Sequence, residues 1–183
     1  GLDRLVSLMQ SVGSNYQTDL FTPIIAKVQK MTKHTDAERE ANWTPYRVIA
    51  DHSRAAAFLI ADGVIPGNNG RNYVCRMIIR RAARFGQKIG FHEPFLAQVI
   101  ETVIDEYSDA YPELKKNRNT ILKTVTDEER RFRHTVDTGV ANLESMLAEL
   151  AAHDQKELSG SVTFELYATY GLPFEITRDI ARE

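Results

Sequence analysis

A single cysteine in 183 residues, Cys75, excludes an internal disulfide, and no Cys-x-x-Cys or Cys/His cluster offers the spacing of a zinc site. No apolar run approaches the ~20 residues needed to span a bilayer, and the N-terminus lacks the charged, apolar, small-residue order of a secretory signal. Together these absences give the expectation of a cytoplasmic protein, in a reducing setting, without a structural metal or a membrane. Charge of one sign is missing too. Lys+Arg number 23 and Asp+Glu 25, leaving a formal net charge of -2. Bulk composition therefore does not announce a nucleic-acid binder, and any such role must rest on local charge separation.

Strand-like alternation is equally scarce. Apolar residues recur at helical spacing, while the six prolines and ten glycines fall mainly between the periodic segments. The expectation is an all-α fold, a multi-helix bundle with a long helical hairpin. A first helix is predicted over residues 2–12. A second should start near Thr18-Asp19, whose side chains can cap exposed N–H groups. The polar run 33–43 reads as a connection with a short helical turn, and Thr44-Pro45 opens a third helix ending at Gly63. That helix is apolar almost all round and should be central to the core. After the turn-rich Pro66-Gly67-Asn68-Asn69-Gly70 comes a helix over 72–85, stopped by Gly86. A further helix over 93–107 is interrupted by Pro112 and followed by a helix of about thirty residues. Its seam of Leu122, Val125, Phe132, Val136, Val140, Leu143, Leu147 and Leu150 steps mostly by three or four. Residues 154–161 read as a linker, before a short helix ending near Gly171 and another beginning near Thr177.

From Gly67 through His92 there is no acidic residue, yet Arg71, Arg76, Arg80, Arg81, Arg84 and Lys88 all occur. At roughly 100° per residue, Cys75, Ile78, Ile79 and Ala82 cluster on one face and the cations cover the opposite arc. Guanidinium groups bind phosphate oxygens through paired donors, so an arginine row can follow a nucleic-acid backbone without reading its sequence. A solvated helix face paired with acids elsewhere accounts for the same pattern equally well. Asn68 could bring an amide to a base edge, although as an isolated feature its loop is more simply a turn. His52 shares a face with Val48, Ala55 and Leu59, which favours a hydrogen-bonded core histidine over a catalytic base. The pair Glu128-Glu129 reads as helix surface. No serine or cysteine sits in a nucleophile motif, so no complete active site is identifiable.

Three segments, in order and spacing, resemble alanyl-tRNA synthetases: Arg47-Val48-Ile49-Ala50-Asp51-His52-Ser53-Arg54-Ala55, then Phe58-Leu59-Ile60-Ala61-Asp62-Gly63, then Gly70-Arg71-Asn72-Tyr73-Val74 with Ile78-Ile79-Arg80-Arg81-Ala82. Ser14-Asn15-Tyr16, the stretch from Glu128 to Phe132 and Phe164-Glu165-Leu166-Tyr167 extend the resemblance across essentially the whole chain. Gly1-Leu2-Asp3-Arg4 resembles the end of motif 3 of class II synthetases, whose arginine helps bind ATP.

That resemblance implies a fragment of an alanine-tRNA ligase, whose parent joins alanine to its tRNA through an ATP-derived alanyl-adenylate. It assigns Arg4 to ATP binding, and Asn68, Arg71, Arg76, Arg80, Arg81 and Arg84 to the acceptor stem with its G·U wobble pair. Residues 1–44 would hold the end of the aminoacylation domain and connecting helices, 45–153 the recognition core, and 154–183 a C-terminal segment truncated before the editing domain. The fragment alone would be inactive and hold no cofactor. ATP and Mg belong to the parent, and zinc to the absent editing domain. Its partners would be the tRNA(Ala) acceptor stem and the parent's catalytic and editing domains, with no membrane and no DNA. The alternative is a helical scaffold between those domains with no RNA affinity. Where the family places a second contact, an aspartate, this sequence has Ala168.

Overall fold

The computed structural model describes residues 1–153, 155, 157–170 and 172–182, and of 134–137 the backbone alone. Every regular element among these residues is helical, as the spacing predicts. Helix α1 spans Leu2–Met9, one 3-10 turn spans Asn15–Gln17, and α2 spans Thr22–Thr32. The polar connection holds a helix of its own, α3 (Asp36–Ala41), because Thr35 and Glu38 form a reciprocal capping box. Next come α4 (Trp43–Ala61), α5 (Gly70–Lys88), α6 (Leu96–Tyr107) and α7 (Pro112–Lys116). Helix α8 is Arg118–Ala152, α9 is Gly160–Tyr170 and α10 is Phe174–Ala181.

Several helix boundaries depart from expectation, among them the end of α1 at Met9 and the start of α6 at Leu96, and two have clear physical reasons. Helix α2 starts past Thr18-Asp19, since the Thr18 hydroxyl is buried and donates to the Asn15 carbonyl at 2.6 Å instead of capping. Gly86 does not stop α5 but lies buried inside it. A Cβ there would stand 2.2 Å from the Phe95 ring, so the glycine is a packing residue. The chain turns instead at Gly90, whose φ of 96° suits glycine. The expected seam residue Val136 and the expected boundaries at Asp154 and Gly171 lie outside the described residues.

The chain divides into two units, Gly1–Glu129 and Arg130–Glu183. In the first, α4 is the central helix, packing on α2, α5 and α6 through Tyr46, Ile49, Ala50, Ala56, Ala57 and Ile60. Small residues on both helices, including Ala82, Ala83 and Gly86 on α5, let backbones approach closely. The hairpin is antiparallel: Arg118, at the start of α8, pairs with Glu101, whereas Glu129 meets the start of α6. In the second unit, Gly139 leaves room for Tyr170 and Leu172, where a Cβ would sit 3.3 and 3.4 Å from their Cβ atoms. Among its described residues Phe132, Leu143, Leu166, Leu172, Ile176 and Ile180 are buried and apolar.

Glu128 and Glu129 overturn the reading of a helix surface, being 2% and 0% exposed. The Glu129 carboxylate accepts the Phe95 N–H at 3.1 and 3.2 Å and the Leu96 N–H at 3.1 Å. Neither Phe95 nor another local side chain caps α6, so a carboxylate from α8 satisfies the orphan donors and faces the positive end of the helix dipole. Glu129→Ala should strand these donors and lower stability by about 3 kcal/mol, read as a lower urea midpoint. Gly86→Ala, which only drives a methyl into Phe95, should cost about 1–3 kcal/mol in the same experiment.

Candidate nucleic-acid interface

Helix α5 forms because good helix formers, Arg, Met and Ala, follow the loop that leads into Gly70. Gly70 has a φ of 54°, a conformation that costs a glycine little. The loop folds back on the helix: the Gly67 N–H donates to the Asn72 carbonyl at 3.0 Å. A Cβ on Gly67 would lie 2.8 Å from the Asn72 Cβ, so this return requires the small residue. Of the expected face, Cys75, Ile79 and Ala82 are buried and Ile78 only partly so, and Ala83 and Gly86 join them. Cys75 carries no reactive thiol: burial, helped by the nearby Glu128 charge, pushes its pKa up to about 11.

The opposite arc does not simply face water. Arg80 Nε donates to Glu128 Oε1 at 2.7 Å, and Arg76 Nε stands 3.4 Å from the same oxygen. Both guanidiniums are largely covered, their side chains 12% and 19% exposed. Arg76 Nη1 also donates to Asn68 Oδ1. The structure thus brings Asn68, Arg76 and Arg80 together, with a buried carboxylate behind them. Arg71 and Arg81 are exposed and Arg84 is half-buried. Arg81 and Lys88 flank the Phe85 ring, 5.7 and 5.3 Å from its centroid.

Sequence reading missed Glu128, although a signal existed. Ile121, Val125 and Phe132 are buried at steps of four and seven, and positions 128 and 129 fall between them on the same stripe. Acids on an apolar seam need partners, and an acid-free arginine helix nearby can supply them.

The remaining site residue, Arg4, is exposed on α1, distant in sequence from α5. Asp3, beside it, pairs with Arg54 of α4. His52 is hydrogen-bonded as expected, its Nδ1 lying 3.0 Å from Asp51 Oδ2. That bond, ahead of the opposing effect of burial, holds the Asp51 carboxyl below the usual carboxylate range. Among the described residues no group of three His, Cys, Asp or Glu could hold a metal ion, and no helix is long and apolar enough to cross a membrane.

The model of the family "tRNA synthetases class II (A)" matches residues 1–183. The chain belongs to this family. It is 49% identical over 182 residues to an alanine–tRNA ligase of Herpetosiphon aurantiacus and 46% identical over 183 residues to one of Chloroflexus aurantiacus. An alanine–tRNA ligase of Neisseria meningitidis is 45% identical over 183 residues. In each case 100% of this chain is covered but only 20% of the relative, so the chain spans about a fifth of their length. The family match contains both Arg4 and the Asn68–Arg84 segment.

Glu128 is the group that holds this synthetase segment's arginine face in shape. Glu128→Ala should leave two largely covered guanidiniums without their carboxylate and lower stability by about 3 kcal/mol. Glu128→Met, similar in volume, should cost no less, because the charges left behind are on the arginines; equilibrium urea unfolding of the two variants checks both expectations.

Proposed function

We propose that this chain is the acceptor-stem recognition segment of an alanine–tRNA ligase, acting in the cytoplasm and in translation. The observation that carries the reading is the Asn68–Arg76–Glu128–Arg80 constellation at the edge of an acid-free cationic helix. An A-form stem hides its major groove and displays base edges and 2′-hydroxyls in a wide, shallow minor groove. An amide on a folded-back loop suits that groove. With Arg76 donating to Asn68 Oδ1, the amide keeps a second lone pair on that oxygen and two donors on Nδ2. It can therefore face the exposed amino group of a G·U pair while arginines neutralise phosphates. Arg71 and Arg81, the exposed members of the row, are the best placed for phosphate, and Arg76 and Arg80 hold the reading group.

Ala168 lies on α9 and is exposed; having no polar side chain, it leaves Asn68 as the principal discriminating side chain. In the whole ligase, Arg4 binds ATP, whose phosphates carry Mg, and the carboxylate of alanine attacks the α-phosphorus as pyrophosphate leaves. Leu2, Leu5, Leu8 and Met9, all exposed on α1, form the surface that a catalytic domain would cover. The chain alone has no complete active site and does not activate alanine.

The scaffold reading is favoured by one observation, the internal pairing of Arg76 and Arg80 with Glu128. Binding of the chain to an alanine acceptor-stem hairpin, with G·U or G·C, across a salt series separates the two. Asn68→Ala should bind both hairpins alike with an unchanged salt slope. Arg71→Gln and Arg81→Gln should each weaken both complexes uniformly and reduce the salt slope by about 1. Absence of salt-sensitive binding by the parent sequence would leave the scaffold.

A further inference from the structure

None of the residues of α1 is buried, and its large apolar side chains are exposed. Within this chain the helix is therefore held chiefly by polar ties rather than by a buried apolar face. At its N-terminal end Arg54 grips Asp3 as a fork, Nη2 to Oδ2 at 2.6 Å and Nη1 to Oδ1 at 3.2 Å. Just past its C-terminal end, Gln10 Oε1 accepts the Asp19 N–H at 3.1 Å.

The fork is itself immobilised. Arg54 lies over the Phe21 ring, 4.1 Å from the centroid, and donates to the Tyr107 hydroxyl at 3.3 Å. Tyr107 in turn donates to the Leu20 carbonyl at 2.7 Å. Burial works to lower the Arg54 pKa, but the bonds to Asp3 and Tyr107 outweigh it and hold the guanidinium charged. The planar fork matches a carboxylate in a way that a lysine ammonium cannot.

We propose that Arg54 is a positioning residue for the ATP-dependent step: by gripping Asp3 it sets the rotation of α1 and so aims Arg4 at the nucleotide phosphates. Successive residues of a helix project roughly 100° apart, so fixing Asp3 inward directs its neighbour outward. Arg4 is exposed, as this requires. The proposal rests on the reading of Arg4 as an ATP-binding residue. It also gives α4 two tasks, since the helix that carries Arg54 leads directly into the Asn68 loop.

The test is ATP–pyrophosphate exchange by the full-length ligase carrying this segment, with Arg54→Met, Arg54→Lys, the charge exchange Asp3→Arg with Arg54→Asp, and Arg4→Ala. Arg54→Met should raise the KM for ATP about tenfold or more, the scale expected when a binding group is misplaced by about 1 Å. The KM for alanine and the affinity for the acceptor-stem hairpin should stay close to those of the parent, while the melting temperature falls with the loss of a largely covered ion pair. Lysine should rescue part of the loss, and the charge exchange more. A KM for ATP within twofold of the parent in Arg54→Met, while Arg4→Ala raises it, overturns the positioning role. A parallel fall in RNA affinity, or an equal rise in the KM for alanine, overturns it in favour of a merely structural Arg54. An unchanged KM for ATP in Arg4→Ala overturns it through the reading on which it rests.

Discussion

Two adjacent carboxylates, buried on one helix, impose the constraint on which the larger unit depends. A carboxylate taken from water loses several kcal/mol of solvation unless charges or donors meet it. Glu129 finds the free N–H groups at the start of α6, and Glu128 finds Arg76 and Arg80 on α5. Because neighbours on a helix point in different directions, both demands are met in one register only. Sliding α8 by a turn would leave both charges unpaired. Apolar packing of Ile121 and Val125 brings α8 to the bundle, and the acids choose where it stops. Replacing the ionic groups with apolar ones of similar volume could give a core as stable, but one without this choice of register.

The same constraint shapes the candidate interface. Arginine side chains lose considerable freedom when they bind, so a guanidinium already held by a buried acid meets its ligand at lower entropic cost. Arg76 is held on one side by Glu128 and on the other by Asn68. The loop amide is thereby tied to the body of the protein through two links. Positioning a reading group needs that stiffness, whereas neutralising phosphate does not. The distribution of exposure along α5, with Arg76 and Arg80 covered and Arg71 and Arg81 exposed, follows the same division.

Helix class, the central position of α4 and the buried face of α5 were legible in the sequence, because all three follow from apolar periodicity, which is local. What escaped was non-local. Gly86 reads as a stop until Phe95 is known to lie against it, and Glu128-Glu129 reads as surface until α5 and α6 are brought alongside. Thr18 reads as a cap, yet its hydroxyl bonds backward to Asn15. The short α3 was legible as a helical turn in a polar connection, and the spacing of Thr35 and Glu38 as a capping box accounts for it. Of the site, the arginine row and Asn68 could be named from spacing and resemblance. Their connection through a carboxylate more than forty residues away could not.

Polar ties also explain how two distant parts of the first unit can be held to a common frame. Helix α4 is rigid over 19 residues and buried along its length by Tyr46, Ile49, Ala50, Ala56, Ala57 and Ile60. From its middle, Arg54 reaches Asp3 on α1; beyond its C-terminal end lies the loop that Arg76 fastens through Asn68. Asn117, at the α7–α8 junction, donates to the Ala61 carbonyl at 3.2 Å and so secures that same end of α4 to the hairpin. An ion pair at the middle of α4 and hydrogen bonds beyond its C-terminal end, rather than apolar contacts, make these attachments directional. Apolar surfaces can slide past one another at little cost, whereas a bidentate fork or a buried ion pair weakens steeply with displacement. Helix α4 is thus a common frame: Arg54 ties α1 to it by a carboxylate fork, and its C-terminal end, fixed by Asn117, carries the loop that Arg76 fastens.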